Sequence, residues 1–87
     1  MQRSEAEIAI LEMLEDRDAD KTICPSEAAR VLAKARGAAD AWRADMDRAH
    51  AAARTLASEG TVTLMQRGEA VEAPVGAYRI RRRDRGE

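Results

Sequence analysis

The chain is poor in the residues that usually build a large core or a reactive centre. It has 87 residues and no phenylalanine, and its only aromatic residues are Trp42 and Tyr78. The single cysteine, Cys24, excludes an internal disulfide, and one cysteine with one histidine, His50, is too small a set for a four-ligand zinc site. No apolar run approaches the roughly 18 residues of a membrane span, and "MQRSEAEIAI" lacks the hydrophobic region of a signal peptide. We therefore expect a cytoplasmic protein with no metal or cofactor and no membrane contact.

Charge is balanced over the whole chain but differs between its halves. The formal net charge is −1. Residues 1–40 carry 6 Lys/Arg against 9 Asp/Glu, or −3, and residues 41–87 carry 9 Arg against 7 Asp/Glu, or +2. The chain as a whole is therefore not a basic nucleic-acid binder, and any basic surface is local and belongs to the second half.

The first half of the chain predicts two helices. Ser4 and Glu7 form a capping box ahead of an apolar stripe, which predicts a first helix over about residues 4–17. Pro25 fits the first position of a second helix, because its missing amide donor is not needed there. The preceding "TIC" is too short for an independent strand, but Ile23 can pair at a sheet edge.

The second half predicts a third helix and a hairpin. Asp40 is a good N-cap for a helix over residues 41–59, and Gly60 is a plausible left-handed C-cap. Both "TVTLMQ" and "YRIRRR" alternate apolar and polar residues with the period of a half-buried strand. The residues between them, 67–76, are interpreted as one long connection.

This order of elements predicts a mainly α protein with a small antiparallel β-sheet. Three helices followed by a C-terminal β-hairpin are the winged helix-turn-helix arrangement. We expect a single domain over residues 1–87, with an ordered core at about 4–83. Because many of the hydrophobic residues are alanine, the core must depend on a few larger side chains: Ile8, Leu11, Leu14, Ile23, Val31, Leu32, Trp42, Met46, Leu56, Val62, Leu64, Tyr78 and Ile80.

Several short motifs carry a family resemblance. They are "KTICPSE" at residues 21–27, "WR" at 42–43, "LASEG" at 56–60, the Q-x-G turn at 66–68 and the arginine-bearing strand at 78–81. With these motifs the chain resembles the bacterial family called domain of unknown function 3253, over roughly residues 5–83. The resemblance implies a winged-helix fold and no particular activity.

The candidate DNA-reading residues of the third helix are Arg43, Arg48 and Arg54. In a helix-turn-helix, the N-terminal part of the second helix enters the major groove, where arginine can bond guanine edges or phosphates. The alternative is a solvated helix face with intrahelical charge pairs. Three aspartates at the same end would repel phosphate: Asp40, Asp45 and Asp47.

The arginines of the hairpin form a second candidate group. They are Arg67, Arg79, Arg81, Arg82 and Arg83. We expect Arg67, Arg79 and Arg81 to contact backbone phosphates, which would give affinity that weakens steeply with salt. The alternative is an exposed sheet edge that uses charge to prevent pairing with another sheet.

The sequence supports two functions. The first is double-stranded DNA binding through the third helix and the wing, as in a transcriptional regulator. The alternative is a protein–protein interaction module without DNA binding, which would expose an apolar patch around Met65, Val71 and Val75. We expect no enzymatic activity and no small-molecule ligand. Cys24, at a helix N-terminus, could be a reactive thiol, but a buried structural cysteine is the preferred interpretation.

Overall fold

The first helix begins at the capping box that the sequence predicts. In the computed structural model, which describes residues 3–17 and 21–83, the Ser4 hydroxyl accepts from the Glu7 amide at 3.2 Å. The Glu7 carboxylate in turn accepts from the Ser4 amide at 3.2 Å. The helix α1 spans Glu5–Glu15, so it ends two residues before the predicted boundary. The two ends of the predicted 1–87 domain lie outside the described residues.

The second helix follows a short strand. The strand β1 is Thr22–Ile23, and α2 is Pro25–Ala35 with Cys24 as its N-cap. Ile23 pairs with Ile80 in antiparallel register, which confirms the predicted sheet-edge pairing.

The third helix starts later than the sequence predicts. Residues Ala39–Asp45 form a 3-10 helix, and α3 is Met46–Ser58, with Asp45 in place of Asp40 as its N-cap. Ala41 has non-helical dihedral angles (φ −102°, ψ 27°), which interrupt a continuous α-helix. The guanidinium of Arg36 donates to the Ala41 carbonyl at 3.3 Å and holds this segment against the end of α2.

The predicted long connection contains a strand of its own. The strands β2, β3 and β4 are Val62–Gln66, Glu69–Val71 and Arg79–Arg82, and the antiparallel sheet has the order β1-β4-β2-β3. The single-connection prediction is therefore wrong. Arg67 and Gly68 both have positive φ, 54° and 80°, which allows the two-residue hairpin turn between β2 and β3.

The core lies between the helices and one face of the sheet. The largest fully buried side chains are Ile10, Leu14, Ile23, Leu56, Leu64 and Ile80. Buried alanines of α2 and α3 allow these two helices to approach closely. The core prediction is wrong for two residues, because Ile8 is 45% exposed and Val31 is 43% exposed. Ile10, which has the same helical spacing as the rest of the buried stripe on α1, takes the central place.

The fold of the described residues is thus mainly α with a small antiparallel sheet, as predicted. No described helix has both the length and the apolar character needed to cross a membrane.

Candidate nucleic-acid interface

Asp45 joins the 3-10 helix to α2 and α3. It is only 3% exposed, and its Oδ2 accepts from Nε of Arg36 at 3.0 Å while Oδ1 accepts from Nη1 of Arg48 at 3.1 Å. The hydrogen bonds from Arg36, together with those from Arg48, hold the pKa of this carboxyl below its ordinary value despite its burial. Asp45 therefore does not present a free negative charge to a groove, contrary to the prediction, although Asp40 and Asp47 are exposed.

Arg48 differs from the other predicted DNA-reading residues because nearby carboxylates balance its positive charge. Besides its bond to Asp45, its Nη2 lies 3.7 Å from a carboxylate oxygen of Glu5 on α1. Rotating Arg48 towards a DNA phosphate would leave the buried Asp45 carboxylate with one guanidinium fewer. This arginine is better suited to fixing the start of α3 than to binding DNA.

Arg43 lies outside α3, because the 3-10 helix contains it. The carbon of its guanidinium is 4.4 Å from the centre of the Trp42 ring, and that of Arg30 on α2 is 4.6 Å from the same centre. Both distances are within the range of cation–π attraction. The Trp42 ring thus contacts two arginines, one from α2 and one from the 3-10 helix. Sequence reasoning missed Arg30, whose position one helix away gives no local signal.

A cleft between α3 and the hairpin brings together Arg54 and Arg83. Its volume is about 660 Å³, and Ser58 and Thr63 also line it. One carboxylate, that of Glu72, lies in the same lining. The sequence analysis places Arg83 among the arginines near the C-terminus. Only the structure shows that Arg83 and residues of α3 line the same cleft.

Two of the three arginines of β4, Arg79 and Arg81, lie on the other face of the sheet. Ile80 is fully buried, so its neighbours Arg79 and Arg81 point away from the core. Arg79 donates from Nε to the Thr22 hydroxyl at 2.6 Å and from Nη2 to the Thr22 carbonyl at 3.1 Å. Since α3 packs against the inner face through β2, the structure does not join these arginines to Arg54.

Arg67 lies at the exposed turn between β2 and β3. It is the predicted site residue closest to the tip of this hairpin. Among the residues described, it forms no ion pair, and neither do Arg43, Arg54, Arg79 and Arg81. Within the described part of the chain, five of the six predicted residues therefore have no ion-pair partner, and Arg48 is the exception.

The three residues predicted to form an apolar patch for a protein partner do not all lie on the same face of the sheet. Val71 packs against the core and shares a shallow cleft with Val75, which is 89% exposed. Met65 neighbours the buried Leu64 on β2, so it points to the opposite face of the sheet. The three side chains therefore do not form one contiguous surface.

Cys24 is partly buried rather than enclosed. Its amide donates to the Glu27 carboxylate at 2.9 Å, and the Ser26 hydroxyl donates to its sulfur at 3.1 Å. In the described part of the chain, no group of three or more His, Cys, Asp or Glu side chains could hold a metal ion.

A search of the curated proteins found no match to this chain. A family model matches it over residues 3–83, which contain every motif named above and every arginine of the candidate interface. The chain belongs to the family described as Protein of unknown function (DUF3253).

Proposed function

We propose that this protein binds double-stranded DNA as a winged helix in the bacterial cytoplasm, as a transcriptional regulator does. In this arrangement α2, the 3-10 helix and α3 are the helix-turn-helix, and the β2–β3 hairpin is the wing. We propose a binding protein rather than an enzyme.

The observation that carries the proposal is the cleft that Arg54 and Arg83 share between α3 and the hairpin. Both guanidiniums lack an ion-pair partner among the described residues. Arginine side chains are common ligands of backbone phosphate. A phosphate in this cleft would place α3 against the adjacent groove.

The remaining arginines receive different roles. Arg67, at the tip of the wing, and Arg43, held on Trp42, lie at the exposed ends of the proposed surface and can contact further phosphates. Arg79 and Arg81 lie on the outer face of the sheet, so we assign them a smaller contribution. Glu72 opposes phosphate in the cleft, and its replacement by glutamine should strengthen binding.

The test is fluorescence anisotropy of a labelled random-sequence duplex, titrated with the protein at 50 and 200 mM salt. We expect binding at low salt that weakens steeply at high salt, because each phosphate contact contributes a slope of about −0.9 in log K against log salt. No binding at either salt, up to high micromolar protein, would overturn the proposal.

Two double variants that remove the same charge from different faces test which surface binds DNA. Arg54→Gln with Arg83→Gln should weaken binding and reduce the salt slope by about 1.8, the value for two lost contacts. Arg79→Gln with Arg81→Gln removes the same charge from the other face and should change both quantities much less. Equal losses in the two variants would show that charge alone, and not this cleft, determines binding.

A further inference from the structure

A second cleft lies between the N-terminus of α2, the first turns of α3 and the connection from β3 to β4. Its volume is about 510 Å³, within the range of small-molecule sites. Apolar side chains form much of its wall, namely Pro25, Met46, Pro74 and Ala77. The Gln66 amide fixes one side of the cleft by donating to the carbonyls of Val75 and Ala77, at 2.7 and 2.9 Å.

The polar groups of this cleft come from three separate elements. Cys24 is the N-cap of α2, His50 and Arg54 lie one helical turn apart on α3, and Tyr78 precedes β4. Arg54 is the single charged residue among the described residues that line the cleft, and no carboxylate faces it there. An apolar wall with one unpaired cation favours a ligand that is apolar over most of its surface and carries one negative charge.

The contact between His50 and Tyr78 fixes two polar side chains of the cleft relative to each other. The Tyr78 oxygen lies 2.7 Å from Nδ1 of His50, within hydrogen-bond distance. Burial raises the pKa of the phenol, so the phenol stays protonated at neutral pH. The cleft therefore has an ordered pair of polar groups besides the guanidinium.

We propose that this cleft binds a small organic carboxylate, with the carboxylate on the Arg54 guanidinium and the apolar body against the prolines and Met46. This cleft adjoins the one assigned to phosphate, because Arg54 lines both of them and Arg83 lines only the phosphate cleft. A carboxylate on Arg54 would therefore compete with a DNA phosphate for the same guanidinium. A small-molecule ligand is not expected from the sequence, because Cys24, the His50–Arg54 pair and Tyr78 are far apart in the chain and only folding brings them together.

The alkylation rate of Cys24 can report ligand binding at this site. Cys24 is the only cysteine of the chain and it lines the cleft, so a bound ligand should shield it from alkylation by iodoacetamide. We would measure the alkylation rate by mass spectrometry in the presence of benzoate and of benzamide, at an ionic strength held constant with chloride. These two probes have nearly the same shape and differ in charge. We expect saturable protection by benzoate with a Kd of about 1 mM, and protection at least about five-fold weaker by benzamide.

Two variants separate the specific site from a general charge effect. Arg54→Gln should reduce protection by benzoate to the level of benzamide, whereas Arg83→Gln removes an arginine from the other cleft and should leave protection unchanged. The NMR signals of the His50 ring, the only histidine, provide a second readout that does not depend on thiol reactivity. Equal protection by the two probes, or neither protection nor a His50 shift at 20-fold the expected Kd, would overturn the carboxylate site. Arg54→Gln affects both proposals, because Arg54 lines both clefts, whereas Arg83→Gln affects only DNA binding. Protection of Cys24 that survives Arg83→Gln therefore supports the carboxylate site whether or not the protein binds DNA.

Discussion

The Tyr78 hydroxyl lies 2.7 Å from Nδ1 of His50, and this contact joins the start of β4 to the middle of α3. The ring centres are 5.6 Å apart, and Tyr78 is 8% exposed. Removing the hydroxyl in Tyr78→Phe leaves a partly buried ring nitrogen without its partner. We expect the free energy of unfolding, measured with urea, to fall by about 1 kcal/mol.

A double-mutant cycle isolates this hydrogen bond from the packing of the rings. In a His50→Leu background, Tyr78→Phe should have a much smaller effect, because the partner nitrogen is already absent. If the tyrosine substitution destabilises both backgrounds equally, the hydrogen bond contributes nothing to stability.

The same tyrosine should make folding sensitive to high pH. Burial raises the pKa of the Tyr78 phenol, so the folded chain holds this proton more tightly than the unfolded chain does. The resulting stabilisation is fully present below the unfolded pKa, about 10, and is lost as the pH rises through the higher folded value. Because Tyr78 is the only tyrosine, phenolate absorbance reports it alone, and its midpoint should fall when urea unfolds the protein. If unfolding in urea leaves the midpoint of phenolate formation unchanged, folding does not raise the pKa of Tyr78.

Asp45 should make folding sensitive to low pH. Its pKa is depressed, chiefly by the hydrogen bonds from Arg36, so its contribution is present above the unfolded pKa, about 4, and is lost as the pH falls through the lower folded value. Asp45→Asn should therefore lower the Tm clearly at pH 7, and the difference from the unmodified protein should narrow by pH 3.

Asp47→Asn is the matched control for this effect. Asp47 lies two residues away, is exposed, and has no hydrogen-bond or ion-pair partner among the described residues. We expect its substitution to change stability by less than about 0.5 kcal/mol at either pH. Equal effects of the two substitutions would show that the Arg36–Asp45–Arg48 contacts do not stabilise the start of α3.

The features predicted correctly from the sequence are those that depend on near neighbours. The Ser4 capping box is set by residues three apart, and Gly60 has the predicted left-handed φ of 79°.

The features that were not predicted depend on residues far away in the chain, or on a choice between two local patterns that fit the sequence equally well. Asp40 and Asp45 are both suitable N-caps, and the contact of Asp45 with Arg36, nine residues earlier, could not be predicted from the neighbouring residues. Ile8 and Ile10 both fit a helical stripe, and only the packing of α1 selects Ile10. In the same way, membership of Arg83 in the α3 cleft follows from the course of β4 and could not be read from neighbouring residues.

The turn between β2 and β3 offers a test of backbone strain. Arg67 has a φ of 54°, in the left-handed region where arginine is unfavourable and asparagine is better tolerated. Arg67→Asn should raise the free energy of unfolding by about 0.5 kcal/mol, since an Asn-Gly pair suits a two-residue hairpin. Gly68→Val should lower it by at least about 1 kcal/mol, because Gly68 has a φ of 80°. Chemical denaturation measures both, and opposite signs to these would show that the turn has another conformation in solution.

Ile80 is the residue on which the sheet and the helices both depend. It is fully buried, and it pairs with Ile23 on β1 and with Leu64 on β2. Ile80→Ala should reduce the free energy of unfolding by about 2–5 kcal/mol, which is a large share of the about 5–15 kcal/mol available to a small domain. Val75→Ala is the control, because Val75 is 89% exposed and its substitution should change stability by less than about 0.5 kcal/mol. Urea denaturation followed by circular dichroism measures both variants. A loss below about 1 kcal/mol at Ile80 would mean that β4 does not close the core, and the positions of Arg79, Arg81 and Arg83 relative to α3 would then have to be assigned again.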